Sequence, residues 1–146
     1  MTVPWEVLIV SSDLESRRAL LTILGDQGID AMYAASLDEC RAILARQNVG
    51  LAFCDSSFAD GDYREFLRLA RSRNPKLRVV VTSCQSEWDE YLQAVRMGAF
   101  DVIASPCRPT DVEWMVIQAK REDRTRARQD LSVNFTQPLA RSAASH

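Results

Sequence analysis

The sequence predicts an α/β fold, a three-layer sandwich in which helices cover both faces of a parallel sheet. Five short apolar runs alternate along the chain with five segments whose apolar residues recur at helical spacing. The runs are continuous rather than alternating, which is typical of strands buried on both faces. The segments between successive runs are long enough for right-handed parallel crossovers. These observations together favour one domain in which strands and helices alternate.

The predicted strands are short, and each is followed by polar residues. In chain order they cover residues 5–10, 29–34, 51–55, 77–82 and 100–104. The third strand ends in a carboxylate, Asp55. In open parallel sheets, ligands bind where the carboxyl ends of the strands emerge, so we expect Asp55 to face such a crevice.

The predicted helices begin at N-cap signals and end near glycine, asparagine or proline. They cover approximately residues 14–27, 37–47, 62–73, 86–96 and 111–121. Ser36 with Glu39, and Thr110 with Glu113, have the spacing of capping boxes that open the second and fifth helices. Gly28 follows the first helix, where a left-handed cap residue is favoured.

Composition and charge exclude several classes of protein. The chain has 146 residues, of which 47% are hydrophobic and 26% charged, with a net charge of −2. These values suit one globular domain and provide no basic field for nucleic acid. The apolar runs are far shorter than the roughly 20 residues that span a bilayer, and no signal-peptide pattern opens the chain. We therefore expect neither nucleic-acid nor membrane binding.

The four cysteines occur singly, without the close pairs of zinc sites or disulfide frameworks. Two of them, Cys54 and Cys84, lie in apolar runs and are expected to be buried core thiols rather than a redox pair. The cysteine pattern indicates a reduced, cytoplasmic protein. The only histidine is His146, so no internal histidine is available for catalysis, and we expect no enzymatic activity.

Six short motifs follow one another in order on the predicted elements. They are Val7–Val10, Asp55, Asp60-Gly61, Thr82-Ser83, Gly98-Ala99-Phe100-Asp101 and Pro106. In this order they resemble the CheY-like receiver domains of two-component response regulators, over Val7 to about Lys120. The resemblance implies a flavodoxin-like (βα)5 sandwich with the sheet order 2-1-3-4-5. It further implies that Asp55 matches the phosphate-accepting aspartate and that Asp60-Gly61 opens the third helix.

The sequence departs from the family at the metal site. In the family, two acidic residues after the first strand hold Mg²⁺ together with the acceptor aspartate, and here these residues are Ser11 and Ser12. Mg²⁺ prefers carboxylate ligands, so these two serines disfavour it, and we predict no metal or cofactor. Asp13 lies one position late and is interpreted as a helix cap. Asp13 and Asp55 are therefore only weak metal candidates.

Other departures affect phosphorylation itself. The lysine that precedes the family's proline is replaced by Ser105, and the aromatic residue that reports phosphorylation is replaced by Val102. Because phosphoryl transfer depends on neutralising charge, Mg²⁺-dependent phosphorylation of Asp55 is expected to be strongly impaired. Asp55 is interpreted either as a structural carboxylate or as a residual phosphoacceptor. The predicted pocket around it consists of Ser11, Ser12, Asp13, Thr82, Ser83, Ser105 and Pro106.

A candidate interaction surface is formed by Trp88, Tyr91 and Val102, on the fourth helix and fifth strand. The resemblance implies a sensor kinase or an output domain as partner, and a homodimer stays open. Trp114 is expected to pack against the core instead.

We interpret the chain as an atypical receiver domain over residues 1–122 that acts through protein–protein contacts, followed by a polar tail or linker over residues 123–146. One alternative is a small nucleotide-binding or enzymatic α/β domain that uses the same crevice. The residues after the first strand contain no glycine-rich loop, which counts against this alternative. A further alternative is that the chain is a fragment of a larger regulator.

Overall fold

The computed structural model describes residues 5–84 and 87–125. Its elements are β1 (Glu6–Val10), α1 (Leu14–Asp26), β2 (Ala31–Ala34), α2 (Leu37–Arg46), β3 (Val49–Asp55), α3 (Tyr63–Arg73), β4 (Arg78–Ser83), α4 (Trp88–Arg96), β5 (Asp101–Ala104) and α5 (residues 109–125). A small antiparallel ladder, Ser57–Phe58 with Gly61–Asp62, lies between β3 and α3. Of the predicted tail, residues 126–146 lie outside the described residues, and α5 continues to residue 125.

The five main strands form one parallel sheet in the order β2-β1-β3-β4-β5. This confirms the predicted fold class and strand order. The residues of β3 and β4 are almost all buried, because helices cover both faces of the sheet at its centre. Burial on both faces explains why these strands were visible in the sequence as continuous apolar runs.

The sheet separates two apolar cores, and side chains alternate between them along each strand. Val10 and Cys54 belong to the core beneath α2, α3 and α4, which includes Phe66. Ile9 and Phe53 belong to the core beneath α1 and α5. The alternation places every second strand residue in each core, as the two-residue period of a strand requires.

Local signals explain how the first two helices are delimited. Gly28 ends the α1 segment with a φ of 78°, a left-handed conformation that favours glycine. At α2, the Ser36 side chain accepts a hydrogen bond from the Glu39 amide at 3.2 Å. The Glu39 carboxylate accepts from the amide of Ala35, also at 3.2 Å, one residue before the position expected for a capping box. The Ser36 cap is thus present, with a modified reciprocal bond.

The prediction of a capping box at Thr110 is wrong. Helix α5 begins at residue 109, so Thr110 lies inside its first turn. The Arg108 carbonyl accepts the first helical hydrogen bond, from the Val112 amide at 3.1 Å. Pro109 takes the first helical position, which suits proline because its missing N–H would have no partner there. Within residues 5–84 and 87–125, no helix is both long and apolar enough to cross a membrane.

At the amino ends of the strands, a buried arginine holds the end of α5. Arg78 is only 5% exposed; its Nε donates to Glu122 at 3.1 Å and its Nη2 to Asp123 at 2.5 Å. The Trp5 indole N–H donates to the other oxygen of Asp123. The Trp5 ring fills the space that a Cβ would occupy at Gly50, which explains the glycine there. We call Trp5, Arg78, Glu122 and Asp123 the amino-end cluster.

Candidate functional site

The strand register brings the predicted pocket residues together at the carboxyl edge of the sheet. Asp55 lies opposite Thr82 in the pairing of β3 with β4. Val10 lies opposite Cys54 in the pairing of β1 with β3, so Ser11, the next residue, is level with Asp55. Residues at or next to the carboxyl ends of three neighbouring strands therefore converge on one carboxylate.

Both oxygens of Asp55 accept hydrogen bonds from neutral hydroxyls. The Ser11 Oγ donates to Oδ2 and the Thr82 Oγ1 donates to Oδ1, each at 2.6 Å. Ser11 is fully buried and Thr82 is 2% exposed, whereas Asp55 is partly exposed. Short bonds from buried hydroxyls to a carboxylate are strong, so this triad fixes the orientation of Asp55 and ties β1, β3 and β4 together.

Asp13 caps α1. Its Oδ2 accepts from the Ser16 amide at 3.1 Å and from the Ser16 hydroxyl at 2.6 Å. The hydroxyl bond, followed by the amide bond, lowers the pKa of Asp13 below its usual range. The backbone amide of Asp13 also donates to the Ser11 Oγ at 3.2 Å, which helps to orient that hydroxyl. Asp13 therefore uses one of its oxygens for the helix terminus, in agreement with its interpretation as a cap.

A cavity of about 400 Å³ opens beside Asp55. It is lined by Asp55 itself and by four of the seven predicted pocket residues, Asp13, Thr82, Ser105 and Pro106, among others. The other three pocket residues do not line it: Ser11 is buried beneath Asp55, Ser12 is exposed, and Ser83 is buried on the side of α4. Among the residues that the structure describes, no lysine or arginine lines it.

Two cysteines line the same cavity and were missed as pocket residues. Cys84 is exposed, so its prediction as a core thiol is wrong. It follows the last residue of β4 and lies on the rim of the crevice rather than inside the sheet. Cys107 is partly buried, and burial, together with the negative charges of Asp55 and Asp111, raises the pKa of its thiol to about 11. Cys107 is accordingly a neutral thiol near pH 7 and a poor nucleophile.

The donor set does not fit Mg²⁺. The residues that follow β1 offer hydroxyls, and the one carboxylate at the centre of the crevice, Asp55, already accepts two hydrogen bonds. Mg²⁺ requires near-octahedral oxygen ligands, normally with carboxylates among them. Among the described residues, no group of three or more histidine, cysteine, aspartate or glutamate side chains is placed to hold a metal ion.

The loop after β3 uses its acidic residues differently from the prediction. Asp62, not Asp60, caps α3, since its side chain accepts from the amides of Arg64 and Glu65. The Asp60 Oδ1 accepts from the Leu37 amide at 2.7 Å, at the first residue of α2. The expectation that Asp60-Gly61 opens α3 is therefore wrong, and Asp60 instead holds the loop against α2.

A second concave surface lies between α4 and β5. Trp88 and Tyr91 stack with ring centroids 5.4 Å apart and planes 15° apart, and Trp88 is 68% exposed. Together with Val102 and Ile103 these rings line a groove of about 250 Å³, which we call the α4–β5 groove. The structure thus brings all three predicted surface residues together. Trp114 is 48% exposed on α5, so its predicted core packing is wrong.

Comparisons with known proteins agree with this architecture. The sequence profile of the response regulator receiver domain matches residues 7–117. The response regulator protein PilR of Pseudomonas aeruginosa is 29% identical over 101 residues, which are 69% of this chain and 23% of PilR. The chain thus spans about a quarter of the length of this relative.

Two solved structures show the same fold. A CheY-like receiver domain protein from Methanospirillum hungatei has a TM-score of 0.75 at 21% identity, with 84% of this chain and 99% of that chain covered. NtrX from Brucella abortus has a TM-score of 0.80 at 23% identity, with 88% of this chain and 30% of that chain covered. The family profile covers most of the chain, and the fold of the chain is that of these two structures. This chain belongs to the response regulator receiver domain family.

Proposed function

We propose that this domain is an atypical receiver, poor at Mg²⁺-dependent phosphorylation of Asp55, that signals through protein contacts at the α4–β5 groove. Membership of the family supports a role in two-component signal transduction, in which receivers contact sensor kinases and output domains. Receiver domains are in general signalling domains rather than enzymes, which supports a signalling role over an enzymatic one. Four free cysteines support a cytoplasmic location.

The observation that carries the proposal is the hydrogen bond from the Ser11 Oγ to the Asp55 Oδ2 at 2.6 Å. The resemblance assigns this position and that of Ser12 to metal-binding carboxylates. A phosphoryl group on Asp55 carries negative charge on its equatorial oxygens, and catalysis consists largely of positioning and neutralising that charge. Neutral hydroxyls at Ser11, Ser12 and Ser105 supply no positive charge, and no lysine or arginine of residues 5–84 and 87–125 lines the cavity.

The α4–β5 groove supports the protein-contact mode. Trp88 exposes more than half of its surface beside Tyr91. An exposed aromatic pair over an apolar groove has the character of a binding surface, because aromatic side chains dominate the energetics of protein interfaces. Val102 replaces the family's aromatic residue and lines this groove, so the groove does not depend on a ring that moves with phosphorylation.

PilR and NtrX are several times longer than the segments they match, which supports an output domain as one partner. The boundary between receiver and linker is proposed to lie after residue 125 rather than at 122. The reason is that Glu122 and Asp123 bind Arg78 and therefore belong to the receiver.

The test is a titration of the full chain with Mg²⁺, with and without beryllofluoride, followed by amide chemical shifts. We expect no saturable shift at Asp55, Thr82 or Ser105 at millimolar Mg²⁺. A variant that restores the family residues, Ser11→Asp with Ser12→Asp and Ser105→Lys, is expected to respond saturably under the same conditions, because it supplies the missing charges.

Asp55→Ala in the restored background is the control and should abolish the response. Saturable shifts in the native chain that disappear in Asp55→Ala would contradict the proposal, since they would identify a working phosphoacceptor with unusual ligands.

A further inference from the structure

The exposed aromatic rings of this protein differ in whether an arginine side chain lies over them. Arg17 lies over Tyr33 with its guanidinium carbon 4.5 Å from the ring centroid, and Arg121 lies over Trp114 at 5.8 Å. Tyr33 and Trp114 are exposed rings, and each is thus covered by an arginine of the same chain. Trp88 is more exposed than either, but within residues 5–84 and 87–125 it stacks only on Tyr91.

Two carboxylates, Glu87 and Glu90, line the groove beside this uncovered pair, and a third, Asp89, follows Trp88 in the sequence. Glu87, Asp89 and Glu90 lie within the first turn of α4 or just before it, next to Trp88. Glu87 precedes the helix without making a side-chain cap bond. Within the described part of the chain, none of the three forms an ion pair. The aromatic surface of the α4–β5 groove is therefore bordered by two carboxylates, those of Glu87 and Glu90, that form no ion pair among the described residues.

Glu90 carries a specific deficiency. Its Oε1 atom is buried and has no hydrogen-bond partner among the described residues. A carboxylate oxygen that is removed from water without a partner is unfavourable, and a nearby positive charge offsets that cost. The Tyr63 hydroxyl is likewise buried without a partner. The Glu90 side chain also lines the α4–β5 groove, so a cationic side chain that enters the groove would approach this carboxylate.

We infer that the α4–β5 groove binds a segment of a partner protein in which arginine or lysine side chains flank an apolar residue. This inference rests on the proposed function and names the partner's chemistry. The apolar residue enters the groove beside Val102 and Ile103, and a cationic group lies over Trp88 within reach of Glu87 and Glu90. Cation–π contact with tryptophan and attraction to the carboxylates act on the same charged group.

Two other occupants fit less well. In a two-fold symmetric contact between copies, the patch meets itself, so these carboxylates would face their own equivalents. The arginines of residues 126–146 follow α5, whose last described turn is held at the amino ends of the strands by Arg78. The groove lies at the opposite edge, beside Ser83 and Ala104.

The test uses two synthetic helical peptides of about 14 residues with the same leucine stripe, one with arginine and one with glutamine on its flanks. Binding to the ¹⁵N-labelled full chain is followed by amide and indole chemical shifts. We expect the arginine peptide to bind with a Kd of about 10–100 μM and to shift Trp88, Tyr91 and Val102. The glutamine peptide should bind at least about tenfold more weakly.

Matched variants separate a specific site from general attraction to an acidic protein. The triple variant Glu87→Gln, Asp89→Asn and Glu90→Gln should weaken the arginine peptide about tenfold. The control is a second triple variant with the same change in net charge at exposed positions elsewhere: Asp26→Asn, Asp30→Asn and Asp38→Asn. It should bind the arginine peptide as the native chain does. Trp88→Ala should weaken binding, and Trp114→Ala, which removes an exposed ring already covered by Arg121, should not.

Three results would overturn the inference. The first is a lack of discrimination: the two peptides bind with equal affinity, or the two triple variants lose equal affinity for the arginine peptide. Another is a set of Trp88 and Tyr91 resonances that moves with protein concentration, which would identify a second copy as the occupant. The third is a change in these resonances on deletion of residues 126–146, which would identify the chain's own segment. The Mg²⁺ and beryllofluoride titration is independent of all three, so failure here leaves the proposed phosphorylation behaviour standing.

Discussion

The two edges of the sheet each hold a charged group, but they compensate it differently. At the carboxyl edge, the carboxylate of Asp55 accepts hydrogen bonds from two neutral hydroxyls, those of Ser11 and Thr82. At the amino edge, the guanidinium of Arg78 donates to two carboxylates, those of Glu122 and Asp123. Neutral groups therefore satisfy the charged group at the carboxyl edge, whereas two opposite charges more than offset the charge of Arg78 at the amino edge.

This difference gives the two edges of the sheet different expected responses to an added or removed charge. Adding a negative group to Asp55 would increase a charge that no lysine or arginine among the described lining residues offsets, which is why we propose that phosphorylation of Asp55 is poor. The amino-end cluster joins the start of β4 to the last described turn of α5. The partners in its two ion pairs are 44 and 45 residues apart in the sequence. The amino-end cluster therefore has a structural role, and we expect its removal to lower the stability of the fold.

The largest effect is expected from Arg78→Ala. The substitution removes two charge-assisted hydrogen bonds and the packing of a buried side chain, so we expect the free energy of unfolding to fall by about 3 kcal/mol. Urea denaturation of the full chain measures this. Arg41→Ala is the matched control, because Arg41 pairs with Asp38 on an exposed helix face, and it should cost less than about 0.5 kcal/mol. Equal losses in the two variants would show that the amino-end cluster holds nothing beyond an ordinary surface pair.

A smaller effect is expected from the hydroxyls around Asp55. Ser11→Ala and Thr82→Val should each lower the free energy of unfolding by about 1–2 kcal/mol, because each leaves one carboxylate oxygen without its buried donor. In an Asp55→Ala background the same substitutions should cost much less, since the acceptor is absent. A double-mutant cycle from urea denaturation measures this coupling.

Thr22→Val, on an exposed position of α1, is the control for that cycle and should change stability by no more than about 0.5 kcal/mol. Full additivity of Ser11→Ala with Asp55→Ala would mean that the 2.6 Å bond contributes nothing to the fold, and the contrast between the two edges would then rest on Arg78 alone.

The comparison also separates what the sequence could predict from what it could not. The crevice was predictable because β3 is a continuous apolar run that ends in Asp55, and because parallel strands bring their carboxyl ends to one edge. The strand order then placed Ser11 and Thr82 beside it. The amino-end cluster had no local signal, since Arg78 lies inside a strand-like run and its partners are more than 40 residues away.

The errors were of a different kind and concern side-chain direction. Cys84 looked like a core residue because it continues an apolar run, but β4 ends one residue earlier and leaves the thiol on the rim. Asp60 and Asp62 are both suitable N-cap residues, and only the fold of the loop decides that Asp62 meets α3. Trp114 lies on a helix whose two faces are both partly apolar, so periodicity alone did not decide its burial.

The smallest expected effect concerns Asp13, the other predicted pocket carboxylate. Its pKa is lowered by the bonds from Ser16, so the ionised form stabilises the folded state above the pKa of the unfolded chain. That contribution is lost as the pH falls through the lowered folded value. Asp13→Asn should therefore reduce thermal stability near neutral pH, and the difference from the native chain should vanish at strongly acidic pH. Thermal unfolding across this pH range measures it.

Ser16→Ala sharpens the same point, because it removes the largest cause of the lowered pKa and should raise the pKa of Asp13, as followed by carboxylate ¹³C shifts. If Mg²⁺ instead moved the Asp13 carboxylate resonance in the native chain and not in Asp55→Ala, the two carboxylates would share an ion. The carboxyl edge would then compensate its charge as the amino edge does, through an opposite charge, and the contrast drawn from Arg78 would no longer hold.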